Sequence, residues 1–167
     1  PLLIWGDICA VTAFRKHAQW SLIWRMLPPT VVGVILGYFL MEQIPAQRFG
    51  PVIGAIVLCM ALLQAARRYR PALFLSVPHT HGFAWTMGGV SGIATMLANA
   101  AGPIMALYFL AINVPKYAFV GTSATFFLII NVFKVPFSAS LGLIDMGSLM
   151  FNVVLMPCVV AGTFLGR

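Results

Sequence analysis

Asn131, Lys134 and Ser138 stand at i, i+3 and i+7 of an otherwise apolar run, so a helix there carries all three on one face. An ammonium flanked by an amide and a hydroxyl is chemistry for holding an anion. Lys134 lies well inside the run that begins near Ala118, and a charge near a bilayer centre costs at least ~2.5–3.5 kcal/mol on insertion scales. Such a lysine is either used, or its stem carries the ammonium to the outer interface. The sequence leaves both open. Pro136 removes an N–H donor, frees the Val132 carbonyl one turn earlier and bends the helix near the lysine. Thr122 and Ser123 precede them on the same segment.

A second candidate centre is Gly88–Leu110, GGVSGIATMLANAAGPIMALYFL, where two short apolar runs join through Asn99, Gly102 and Pro103. Part-helices that meet at membrane depth leave backbone N–H and C=O groups unpaired, at a cost of several kcal/mol per group in hydrocarbon. Such a break is tolerated where it lines a site. A helix starting near Gly102–Pro103 turns its N–H groups and positive dipole end toward the break, which suits an anion. The candidate ligands are the Asn99 amide and backbone N–H groups near Gly102 and Pro103, with Thr95 and Tyr108 as lining residues. An ordinary loop outside the membrane is the plainer alternative.

The elements that must position these groups follow from composition. Of the 167 residues, 61% are hydrophobic and 8% charged, more apolar surface than a soluble domain of this size can bury. Stretches without charge run Met26–Met41, Phe49–Ala66, Phe83–Leu97, Ile104–Val114, Ala118–Phe133 and Leu149–Leu165, with Pro1–Phe14 the tail of another. Most approach the roughly 20 residues that cross a hydrocarbon core. The expected class is an all-α polytopic membrane protein, with short, broken helices near the midplane.

The formal charge of +7 is informative through its placement. Arg15, Lys16 and Arg25 fall between the first two apolar stretches, Arg67, Arg68 and Arg70 follow the third, and Glu42 and Arg48 lie between. Basic residues on alternate connections are those retained in the cytoplasm. Counting Phe83–Leu97 and Ile104–Val114 as two passes, or as a re-entrant pair, puts Lys116 and Arg167 inside and Asp145 outside. Counting one long pass reverses all three. These basic clusters are short and beside membrane segments, so a nucleic-acid partner is not expected.

Pro28, Gly33 and Gly37 read P-x4-G-x3-G, and Pro157, Gly162 and Gly166 repeat it at an offset of 129 residues. Under the topology above the copies are inverted, an architecture of secondary transporters; close packing of helices by glycine explains the same spacing. Asp7 precedes one copy and Asn131 the other, both in apolar surroundings. The division expected is residues 1–70 as the remainder of a first repeat, 71–81 as a cytoplasmic connection and 82–167 as a second repeat. The chain opens inside an apolar stretch without an initiator Met, and so reads as a fragment lacking the start of the first repeat. Cys9, Cys59 and Cys158 are widely spaced small core residues without a metal pattern, and no cofactor is expected.

GGVSGIATMLANAAGPIMALYFL followed by FVGTSATFFLIINVFKVPFSASLGLID strongly resembles the second half of the TauE/SafE family, the sulfite exporter group. LLIWGDICAVTAFRKHAQW with PPTVVGVILGYFL looks like the closing portion of that family's first half. The resemblance implies a two-repeat transporter of sulfite, sulfonates such as sulfoacetate, or related organic anions across a cell (inner) membrane. It leaves room for a coupling ion and for a homo-oligomer. The glycine-rich stretch that such proteins carry early in their first half is missing here.

Three other classes compete. Gly89-Val90-Ser91-Gly92 has the form of a rhomboid-type protease nucleophile, but that chemistry needs a histidine facing the serine inside the membrane. His17, His79 and His81 all precede Ser91 and lie in or beside connections, so Ser91 reads as a packing residue and no enzyme is expected. An anion channel would use the same polar break. A non-transporting membrane subunit is opposed by Lys134 and Asp7 inside apolar segments.

Overall fold

The computed structural model describes residues 2–70 and 80–165. His79, Gly166, Arg167 and residues 71–79 of the expected connection lie outside them. Among the described residues the regular structure is helical: α1 (Leu2–Phe14), α2 (Trp20–Gln43), α3 (Phe49–Tyr69), α4 (His81–Ala98), α5 (Ala101–Ala111), α6 (Lys116–Ser140) and α7 (Met146–Leu165), with 3-10 turns at Arg15–His17 and Ala46–Arg48. By length and composition α2, α3 and α6 can each cross a membrane. α3 buries no residue, and its exposed Val57, Leu58 and Leu62 suit a helix whose solvent is lipid.

Several helices run past the apolar windows expected of them, because the backbone ladder continues until a cap or breaker stops it. α2 starts at Trp20, which draws Arg25 out of the expected connection and into the helix. α6 starts at Lys116 and continues through Pro136 to Ser140. At α4 the stop signals are local: the Phe83 N–H donates to the Thr80 hydroxyl at 3.2 Å, and Asn99 ends the helix in the left-handed region, φ 51° and ψ 31°.

The chain forms two compact units, residues 1–23 with 115–167, and residues 24–114. In the first, α1 lies against α6 and α7. Gly121 of α6 admits the turn after α1: a Cβ there would come within 3.1 Å of the Ala18 nitrogen. In the second, α3 lies against α4 and α5, and α4 against α5. The Phe83 ring in the first turn of α4 stacks on Tyr108 of α5 at 5.7 Å, so α5 folds back along α4 as a hairpin.

The α2–α4 contact explains one half of the glycine spacing. A Cβ on Gly33 would run into the Gly89 carbonyl, one on Gly92 into the Thr30 carbonyl, and one on Gly37 would lie 2.8 Å from the Met96 Cβ. These backbones meet with no room for a side chain, as small residues permit between membrane helices. Gly162, the counterpart of Gly33, has nothing within 4 Å, so the two copies of the motif differ in what they touch. Gly92→Val is therefore expected to cost at least ~1–3 kcal/mol through overpacking. It should lower the melting temperature and the monodisperse fraction of the solubilised protein. Gly54→Val, at a position with nothing within 4 Å, is the control that should leave both unchanged.

Candidate functional site

The candidate residues fall into two groups, one in each compact unit. Asn131, Lys134, Thr122 and Ser123 lie on α6, while Thr95, Asn99, Gly102, Pro103 and Tyr108 lie on α4, α5 and the turn between them.

On α6 the polar stripe faces inward. Lys134 is 6% exposed, Asn131 and Ser138 are half-buried, and Val132 and Pro136 on the opposite face are exposed. The Asn131 amide donates to the Asp7 carboxylate of α1 at 2.6 Å, and that carboxylate lies within electrostatic reach of the Lys134 ammonium. Burial of Lys134 is not the snorkelling geometry, which would display the ammonium at an interface. Thr122 acts elsewhere, since its buried hydroxyl accepts the Gln19 N–H at 2.9 Å and ties the chain beyond α1 to α6. Thr122 and Ser123 stand some three turns from Lys134, so α6 does not bring the four together.

At the break, α4 and α5 are unequal. Their 18 and 11 residues span about 27 and 16 Å at 1.5 Å per residue. Alone, α4 nearly matches the ~30 Å of a hydrocarbon core, so its tilt sets the depth of the break. The Asn99 N–H donates to the Thr95 carbonyl at 3.1 Å and the Ala100 N–H to the Ala94 carbonyl at 3.2 Å, which closes the end of α4. Asn99 thus caps α4 with its backbone while its side chain is exposed. No side chain caps α5, and Gly102 in its first turn is exposed with nothing within 4 Å of a Cβ placed there. Pro103 has no N–H, so the donors the first turn can offer are those of Ala101 and Gly102.

Thr95 is buried on α4. Tyr108 is 1% exposed, its hydroxyl has no hydrogen-bond partner, and the Arg25 guanidinium lies within electrostatic reach. Ser91 is fully buried with no hydrogen bond to its hydroxyl, so among the described residues no histidine base is hydrogen-bonded to it.

A family model described as Sulfite exporter TauE/SafE matches residues 1–167, the whole chain. The chain belongs to the TauE/SafE family. Comparison with curated proteins and with solved structures returned no match. TauE/SafE is a family of membrane transporters, which agrees with three helices fit to span a bilayer and implies a small anion as substrate. Two charged residues of this TauE/SafE chain are absent from the sequence-based candidates. Asp7 carries a signal of its own, a carboxylate within thirteen helical residues that are otherwise almost wholly apolar. Arg25 is hidden by its place beside an apolar window rather than within one.

Proposed function

We propose that the protein is a secondary transporter, and specifically an exporter, of small sulfur-containing or organic anions such as sulfite or sulfoacetate across the plasma membrane. The observation that carries this reading is the α4–α5 break, where an 11-residue helix starts without a side-chain cap and opens at Gly102 onto free space. Orphan N–H groups and a positive dipole end favour an anion there. The residues proposed form two separate groups: Asn99, Gly102 and Pro103 with Thr95 and Tyr108 lining in one unit, and Lys134 with Asn131 on α6 in the other, with Thr122 and Ser123 some three turns away along α6. Counterflow of labelled sulfite, sulfoacetate and sulfate by the full-length protein in proteoliposomes tests it. Saturable counterflow of one of them is the expected result. A linear, unsaturated current would mean a channel, and no flux of any would leave a membrane subunit.

The two-repeat division at residues 1–70 and 82–167, with inverted orientation, belongs to the same proposal. The hairpin returns the chain to the level of the first turn of α4, which supports counting α4 and α5 as a pair. Residues 14–19 and 66–80 are then cytoplasmic, residues 42–48 and 143–147 face outward, and eight of the ten basic residues fall on the inner side when Arg25, in the second turn of α2, is counted with the inner end of that helix. Single-cysteine labelling from each side should find Arg68→Cys and Asp145→Cys on opposite faces. Labelling from the same face would remove the inverted repeat.

A further inference from the structure

The carboxylate of Asp7 already sits where α6 offers its anion-binding groups. Asn131 donates to it at 2.6 Å, and Lys134, one turn on and 6% exposed, acts on it electrostatically. We propose that Asp7 is an internal anion holding the seat of the transported one, and that the two exchange by protonation of Asp7. The inference rests on the reading of Lys134 as an anion ligand.

In the empty state the Asp7 carboxylate neutralises Lys134. An arriving monoanion would bring two negative charges to one ammonium in a low-dielectric setting, which is strongly unfavourable. If Asp7 takes a proton from the same aqueous side, the balance is restored: carboxylate, proton and anion become carboxylic acid and an ammonium–anion pair, with the net charge of the site unchanged. The neutral acid gives up its hold on Lys134, and Asn131 is released to the substrate. On dissociation the proton leaves with the anion and the internal pair re-forms. Anion and proton therefore move together.

Among the described residues, Asp7 is the one carboxylate on α1, α6, α7 and the turn after α1. α7 carries no acidic or basic residue, and its one titratable side chain, Cys158, is exposed. On α6 the remaining titratable groups are Lys116 and Tyr117 in the first turn, about five turns from Lys134. The turn after α1 presents exposed Arg15, Lys16 and His17, about two turns beyond Asp7, and α1 itself adds only Cys9.

The test is counterflow of labelled methanesulfonate, a small sulfonate that stays a monoanion across the range, by the full-length protein in proteoliposomes over a range of pH equal on both sides. With Asp7 ionised, apparent affinity should fall about tenfold per pH unit as pH rises. Asp7→Asn should bind with an affinity independent of pH. A flat wild-type profile, a wild-type slope retained in Asp7→Asn, or a folded Asp7→Asn that neither binds nor transports would each overturn the proposal. If Asp7→Asn does not fold, the wild-type protein decides alone: adding methanesulfonate in weakly buffered detergent should take up one proton per anion bound, and no uptake overturns the coupling. Lys134→Met separates the two failures. Transport by that variant at the wild-type rate sinks the anion site itself, whereas an inactive Lys134→Met beside a pH-independent wild type sinks only the coupling.

Discussion

Lys134→Met should abolish anion transport, and Lys134→Arg should retain part of it. The side chain is 6% exposed, and Asn131 on its own helix donates to the half-buried Asp7 carboxylate at 2.6 Å, so the ammonium lies within a polar cluster between α1 and α6. Removing the buried Lys134 charge leaves the half-buried Asp7 carboxylate uncompensated, at a cost of up to ~3–5 kcal/mol. Lys134→Met alone therefore combines a loss of function with a loss of stability. The double variant Asp7→Asn/Lys134→Met separates them, because it restores charge balance with side chains of similar size. On the functional reading the double variant regains the melting temperature and still does not transport. If the double variant, or Lys134→Met itself, transports with normal affinity and rate, Lys134 is a structural charge only. Arginine keeps the charge but changes its reach and donor geometry, which is why partial activity is expected of Lys134→Arg.

The legibility of these features divides along physical lines. Helical class, the break at Asn99–Pro103 and the inward polar stripe of α6 follow from composition, from helix breakers and from a period of 3.6, all of them local properties. The Asp7–Asn131 contact joins residues 124 positions apart, and no local pattern specifies which apolar helix meets which. Hydropathy windows leave Arg25 in a connection because they locate apolar cores and not helix ends; the ladder of α2 begins at Trp20. Pro28, Gly33 and Gly37 are legible as a spacing, but whether it records a repeat or a close approach depends on α4. Contact of Gly33 with Gly89 and Gly92, and of Gly37 with Met96, gives the two glycines of the first copy a packing role. The compact units also interleave along the chain, with residues 1–23 joined to 115–167, a grouping that sequence order does not display.

At the break, Asn99→Gly should leave the fold intact and lower anion affinity about 10- to 150-fold, the range expected when a hydrogen bond to a charged group worth ~1.5–3 kcal/mol is lost. Glycine is the informative replacement because Asn99 has φ 51° and ψ 31° and ends α4 through its backbone. A leucine there would add about 1–2 kcal/mol of left-handed strain and confuse folding with binding. Glycine accepts that conformation freely and keeps the cap while removing the amide. The neighbouring Gly102 supplies the complementary test. Nothing lies within 4 Å of a Cβ built on it, so the fold admits a side chain, and alanine should stabilise the helix by about 0.5–1 kcal/mol. A methyl group at the mouth of α5 would nonetheless stand between an anion and the first-turn N–H groups, and the two isopropyl methyls of Gly102→Val would close that approach. Transport should thus fall in the order Gly102, Ala, Val while the melting temperature rises from Gly to Ala. Opposite signs in stability and transport cannot arise from unfolding. Wild-type affinity and rate in both Asn99→Gly and Gly102→Val would move the anion site away from this break.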